Sequence, residues 1–135
     1  MSCILRVSGS SLDVVRLAAA FPLKPYRLDR KGARRAPRSR STHETGCAHY
    51  DVSRNDLAPL PVQVADALQF LSQHRETLVA MRHFPGVEAC VLDFGIEWKD
   101  TLTHTDRLPS DLLSLVGSIG FGIDLTHYPA RDEEP

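Results

Sequence analysis

An arginine-rich segment is the part of the chain whose residue types point most directly to a function. The segment Tyr26–Gly46 reads YRLDRKGARRAPRSRSTHETG, and residues 24–45 contain eight Lys or Arg against two Asp or Glu, a net charge of +6. The rest of the chain has eight basic and fifteen acidic residues, a net charge of −7. Because a run of like charges with few apolar residues cannot bury itself, we expect a mobile basic loop at about 24–45.

The cations of this loop suit two classes of partner. They could bind nucleic-acid phosphates with release of counterions, or the acidic surface of a protein, such as a toxin to be neutralised. The sequence pI of 6.6 and the lack of aromatic residues beyond Tyr26 for base stacking weigh against nucleic acid. A non-enzymatic protein-binding module, of an immunity-like kind, is therefore the preferred hypothesis, with nucleic-acid binding as an alternative. The predicted contacts in the loop are Arg30, Lys31, Arg34, Arg35, Arg38 and Arg40.

A second group of residues could carry out acid and base chemistry. His49, Asp51, Asp93 and Asp124 supply an imidazole and three carboxylates, and such groups can divide the roles of proton donor and acceptor. The sequence shows no nucleophile elbow and no phosphate-binding loop, and the glycines of GSIGFG follow a predicted helix rather than precede one. A small hydrolase using this polar group is a third hypothesis, but the balance is against an enzyme, and we expect no cofactor.

The three cysteines indicate reduced thiols rather than a metal site. Cys47 and His49 form one Cys-x-His pair, but Cys3 and Cys90 supply no second close pair, so we expect no bound metal. Cys3 and Cys90 should lie buried on neighbouring strands. Cys47 should point outward beside the loop, where the arginines would favour its thiolate and make it the most reactive of the three.

Length and composition predict one cytoplasmic domain over residues 1–135. The chain is 42% hydrophobic, enough for a single core at this length. Its longest early apolar stretch, VVRLAAAFPL, is too short and too interrupted to span a membrane. The start, MSCILRV, lacks the basic lead and the long apolar region of a signal peptide.

Periodicity predicts four strands and three helices to position these groups. Apolar alternation marks the strands, and apolar spacing of three and four marks the helices. The strands are predicted over Cys3–Ser8, Cys47–Ser53, Val87–Trp98 and Phe121–Tyr128. The helices are predicted over Ser10–Phe21, from near Pro61 with a kink at 72–74, and over Leu108–Gly120.

Each element also has predicted faces. The first helix should have a serine N-cap and turn Leu12, Val15 and Ala19 inward. The central strand should bury every second residue from Cys90 to Trp98, with Trp98 anchoring the core. One open face of the sheet should carry Arg6, His49, Asp51, Asp93, Glu97, Asp124 and Thr126, of which His49, Asp93 and Glu97 are further candidate binding residues.

This order of elements predicts the fold class. Strand, helix, strand, then strand, helix, strand, with an extra helix between the halves, suggests an α+β domain. We expect a four-stranded, mainly antiparallel sheet with helices on one face, as in a ferredoxin-like or related sandwich.

Several short motifs, taken together, resemble those of one uncharacterised family. VSGSSLD, then L-K-P followed by RKG, then TG opening a strand, and finally LPSDLLSLVGSIGFGIDLTHYP are similar to the bacterial domain of unknown function 4279 family. The resemblance runs from about Leu5 to Pro129, although members typically carry a tryptophan where this chain has CAHYDV. It implies a small cytoplasmic α+β domain in which RKG belongs to the ordinary design, and it implies no catalytic residues.

Overall fold

The structure, a computed structural model, describes residues 2–34, 42–54, 56, 58–98 and 103–129. Within them the chain forms five strands and four helices, an α+β fold as predicted. In chain order these elements are β1 (Cys3–Gly9), α1 (Val14–Ala20), β2 (Arg27–Asp29), β3 (Gly46–Ser53), α2 (Leu60–Gln73), α3 (Arg75–Arg82), β4 (Ala89–Trp98), α4 (Ser110–Ile119) and β5 (Gly122–Pro129).

The strands form one open mixed sheet in the order β2-β3-β1-β4-β5. The first three neighbouring pairs are antiparallel, whereas β4 and β5 are parallel. The prediction of four strands is therefore wrong by one. The missed strand is β2, whose three residues lie inside the predicted basic loop and show no apolar alternation.

The helices cover one face of this sheet. Alternate residues of β1, namely Cys3, Leu5 and Val7, are fully buried, and they join a single core to which all four helices contribute. Burying this apolar surface is the main stabilising term of such a domain. Because side chains alternate along a strand, Arg6 and its cross-strand neighbours lie on the opposite face. The functional candidates on the sheet are on this open face.

Helix α1 begins later than predicted. Its N-cap is Asp13, whose Oδ1 accepts from the backbone N–H groups of Val15 and Arg16 at 3.1 and 3.2 Å. The expected serine cap is therefore wrong, and the shift rotates the buried face. Of the three residues predicted to turn inward, Leu12 is buried, whereas Val15 and Ala19 are exposed. The buried residues of the helix itself are Val14 and Leu17.

The remaining helices agree with their sequence signals. The predicted kink is a break at His74, which ends α2 and precedes α3. Helix α4 ends at Gly120, where φ of 84° is a left-handed conformation that glycine adopts without a steric penalty. This glycine directs the chain into β5.

Trp98 does not anchor the core. It continues the inward alternation of β4, but it is the last residue of the strand and its relative exposure is 49%. Its ring lies nearly perpendicular to the ring of His127, at a centroid distance of 6.1 Å. The prediction of its side of the sheet was right and the prediction of its burial was wrong.

Candidate functional site

The described part of the predicted basic loop is a paired hairpin, here called the basic arm (residues 27–34 and 42–45). Its first side, β2, pairs with the start of β3. Beyond β2, the Gly32 N–H donates to the His43 carbonyl at 2.8 Å, and the His43 N–H donates to the Ala33 carbonyl at 2.9 Å. Arg34 and Thr42 form a further bridge. Hydrogen bonds between the two sides of the arm therefore order the backbone of these residues.

Three of the six predicted loop contacts lie on this arm. Arg30, Lys31 and Arg34 are exposed, and within the described residues none of them forms an ion pair. Lys31 interacts electrostatically with Glu88, and all three cations remain exposed to a partner. The other three predicted contacts, Arg35, Arg38 and Arg40, lie outside the described residues.

Asp29 fixes the arm to the open face of the sheet. Its Oδ2 lies 2.8 Å from Nε2 of His49, and its Oδ1 accepts from Nε of Arg27 at 2.9 Å. Nε2 of His43, on the returning side of the arm, lies 3.6 Å from Oδ1. Burial alone would raise the pKa of Asp29, but the hydrogen bonds from His49 and Arg27 hold it below its ordinary value. One carboxylate thus joins both sides of the arm to β3.

Arg6 organises a second polar network on the same face. Its Nη1 donates to Oδ2 of Asp93 at 2.5 Å, and its Nη2 donates to Oδ2 of Asp124 at 3.1 Å. Thr126 donates its hydroxyl to Oδ1 of Asp93 at 2.7 Å. Burial disfavours the charge of Arg6, but its pKa is raised by the hydrogen bond to Asp93 and by the charges of Asp93 and Asp124. These four residues were predicted to share a face, and that prediction is confirmed.

The acid and base candidates belong to separate networks. His49 is bonded to Asp29, whereas Asp93 is bonded to Arg6 and Thr126, and each is only 9% exposed. Asp51, the other candidate on β3, has a buried Oδ1 with no hydrogen-bond partner in the described part of the chain. The candidate residues therefore form two separate networks, one that anchors the arm and one around Arg6, and they do not form a single catalytic group.

Cys47 lies beside both networks, but its thiolate is disfavoured. Burial, followed by the charge of Asp29, raises the pKa of Cys47 to about 11, although Arg6 and Arg27 act in the opposite direction. Arginines do favour the thiolate, as expected, but burial and Asp29 outweigh them, so the prediction of an activated Cys47 thiol is wrong. Cys3 and Cys90 are buried on the neighbouring strands β1 and β4, as predicted, and burial raises the pKa of both thiols.

Glu97 lies in a different place from the other candidates. It lines a cleft of about 260 Å³ between the start of α2 and the ends of β4 and β5, together with Tyr128. The other polar residues of this cleft are His104 and Asp106, whose Nε2 and Oδ2 are 2.7 Å apart and which were not predicted as site residues. Their spacing of two residues in HTD was the only available signal, and it is a weak one.

Comparisons with known proteins give no relative from which a function could be transferred. No protein-family model, no curated protein and no solved structure matches the chain. Across the described ranges, no helix is both long and apolar enough to cross a membrane, and no three His, Cys, Asp or Glu residues are grouped to hold a metal ion. A function must therefore be argued from the arm and the open face.

Proposed function

We propose that this protein is a cytoplasmic, non-enzymatic protein-binding module whose basic arm contacts an acidic surface of a partner protein, as an immunity protein would contact a toxin. The observation that carries this proposal is that exposed cations stand on an ordered backbone. Arg30, Lys31 and Arg34 are exposed, while the arm that bears them is held by paired backbone and by Asp29. A held arm loses less conformational entropy on binding than a mobile loop does.

Nucleic-acid binding through the same cations is the second candidate. It is favoured by Tyr26, which is exposed at the base of the arm and lies 6.0 Å, centroid to centroid, from the ring of His49. A single aromatic ring gives only one stacking position, whereas single-stranded nucleic acid is usually bound along a series of them. An acidic protein surface needs no stacking, so the protein partner is preferred.

The hydrolase hypothesis has less support. His49 and Asp93 are bonded within separate networks, and both side chains are almost completely buried. A general base must reach a proton on its substrate, usually within hydrogen-bond distance. The contacts of these two residues support a role in holding the arm and the sheet.

The order of elements supports a ferredoxin-like core. From β1 to β4 the chain runs β-α-β-β-α-β, with the second helical position divided into α2 and α3, and those four strands lie in the order β4-β1-β3-β2. Helix α4 and β5 extend this unit at one edge. We therefore propose a ferredoxin-like domain with an added edge strand, and membership of the domain of unknown function 4279 family remains a proposal that rests on the motifs described above.

Charge reversal on the arm tests the function against a matched control. The arm variant carries Arg30→Glu, Lys31→Glu and Arg34→Glu, and the control variant reverses three exposed arginines elsewhere. The control changes are Arg54→Glu, Arg75→Glu and Arg107→Glu.

The probes are a poly-glutamate peptide and a DNA duplex of similar length. For the peptide at low salt, we expect the arm variant to lose about 100-fold in affinity and the control about threefold or less, at up to roughly 1 kcal/mol per exposed pair. Equal losses in the two variants would show that only net charge matters. Tighter, arm-dependent binding of the duplex, with a steep salt dependence, would instead support the nucleic-acid candidate.

A further inference from the structure

The two edges of the sheet differ in their protection against pairing with another chain. The edge strand β2 has only three residues, two of which are the charged Arg27 and Asp29. The other edge strand, β5, pairs with β4 at eight consecutive positions without a register shift. Within the described residues no strand pairs with the outer side of β5. A long, regular edge of this kind presents a row of backbone donors and acceptors to another strand.

Strand β5 lacks the features that usually block such pairing. Its sequence, GIDLTHYP, contains no lysine or arginine and has proline only as its last residue. Its one carboxylate, Asp124, is directed across the open face to Arg6. Natural edge strands are commonly protected by lysine, an internal proline, a bulge or a short length. None of these devices is present within β5.

Exposed apolar side chains lie along the same edge. Leu125 of β5 is 40% exposed on the helix-bearing face, and Trp98 of β4 lies further along that face. Ile123, one pleat before Leu125, is only partly buried. Leu125 and Ile123 therefore place apolar side chains directly beside the unpaired backbone of β5.

We propose that β5 is a dimerisation strand, on which two copies of this chain pair antiparallel across a two-fold axis to form one continuous ten-stranded sheet. The self-complementary register is centred on Leu125. It places each Leu125 opposite its copy, Asp124 opposite Thr126, and Ile123 opposite His127. Apolar contacts then lie on the helix-bearing face and hydrogen-bonding groups on the open face.

Charge and apolar pairing together favour this register over its two neighbours. Centring the pair on Asp124 would set two carboxylates directly opposite each other, which is destabilising. Centring it on Thr126 would place Leu125 opposite His127 and would lose the leucine pair. A second copy of this chain is thus an occupant that brings the two leucines together while keeping the two carboxylates apart.

This dimer leaves the basic arm free. The arm extends from the β2 edge, four strands away from β5, so the two arms would lie at the outer ends of the joined sheet. Dimerisation through β5 and partner binding through the arm therefore use separate surfaces, and either can fail alone.

Sedimentation equilibrium of the full chain tests the dimer. We expect the wild-type protein to sediment as a dimer and Leu125→Lys to raise the dimer dissociation constant by about 100-fold, because the new charges face each other at the axis. Val62→Lys on α2 is the matched control, since Val62 is equally exposed at 40%, and it should leave the dissociation constant unchanged. A monomer at all concentrations, or a dimer that Leu125→Lys leaves intact, would overturn the proposal.

Disulfide trapping tests the register of the dimer with variants that are not designed to weaken it. In a Cys47→Ser background, Leu125→Cys should form an intermolecular disulfide on mild oxidation, because directly opposite residues bring their Cβ atoms close enough for that bond. His127→Cys lies on the same face of β5 but opposite Ile123, so it should remain unlinked. Crosslinking at position 127 in preference to position 125 would refute the centred register.

Discussion

At the scale of single residues, Asp29 decides more of the local structure than its place in a basic segment indicates. It is one of only two acidic residues among the many cations of residues 24–45. Its carboxylate is bonded to Arg27 and His49, and it lies near His43. From the sequence, Asp29 only reduces the net positive charge of the segment. In the structure, its carboxylate attaches the arm to β3.

The reactivity of Cys47 tests this arrangement. Because burial and Asp29 raise the pKa of Cys47 to about 11, the thiolate fraction near pH 8 should be on the order of 1 in 1,000. We expect slow alkylation at neutral pH whose rate rises about tenfold per pH unit up to the pKa. Cys47 should still react before the fully buried Cys3 and Cys90, as peptide mass mapping would show.

Asp29→Asn should shift that rate profile to lower pH. The substitution removes the negative charge that disfavours the Cys47 thiolate while leaving Arg6 and Arg27 in place. The rate is measured from pH 7 to 11. A lower pKa of Cys47 shifts the profile along the pH axis, whereas easier access of the reagent to the thiol raises the rate by the same factor at every pH. A midpoint that stays near the wild-type value would contradict the electrostatic account.

Trp98 tests the assignment of the core boundary. Because its ring is half exposed, we expect red-shifted fluorescence emission that iodide quenches readily. Trp98→Ala should cost about 1 kcal/mol of unfolding free energy, well below the roughly 3–5 kcal/mol of a buried tryptophan. Blue-shifted, unquenched emission with a large loss of stability would place the ring in the core.

At the scale of elements, strand alternation and helical spacing predict most strands and helices of this chain, but they miss β2. Strands β1, β3 and β4 each bury a central apolar face, which produces the period of two in their sequences. Strand β2 has the sequence RLD, and its Leu28 is exposed. It is held by pairing with β3 and by Asp29, which are tertiary contacts that no local pattern encodes.

Amide hydrogen exchange tests whether the arm is held. We expect the Gly32 and His43 amides to be protected, since each donates a backbone hydrogen bond across the arm. Asp29→Asn should reduce that protection, whereas Asp124→Asn, which removes a carboxylate near Arg6 on the same face, should not. Because the pKa of Asp29 is held below its ordinary value of 3.8, wild-type protection should persist at pH 5. Unprotected exchange of both amides in the wild type would show instead that the arm is a mobile loop.

At the scale of the whole molecule, the open face could be predicted from sequence only as a set of residues. Alternation placed Arg6, Asp93, Asp124 and Thr126 on one face, and they do lie together. Which residues become neighbours depends on strand order and register, and these are set by long-range pairing. The same limit explains Glu97, which shares the open face by alternation but lies in a separate cleft beside Tyr128.

The two edges of the sheet also differ in character, because one carries exposed cations and the other an exposed apolar side chain. The basic arm extends from the β2 edge, and the exposed Leu125 lies on β5 at the other. A protein built in this way can use one edge for a partner and the other for its own copy. The two surfaces share no residues, so their functions can be measured separately.

Photo-crosslinking from the arm is the most direct test of the central claim that the arm binds a protein. A photoreactive amino acid replaces Lys31 on the arm or, as the control, the exposed Arg75 on α3, and the full chain is irradiated in its native cells. We predict a discrete adduct from position 31 that nuclease leaves intact and protease removes, together with little adduct from position 75. An adduct at position 31 that nuclease removes, or equal protein adducts from both positions, would contradict the account.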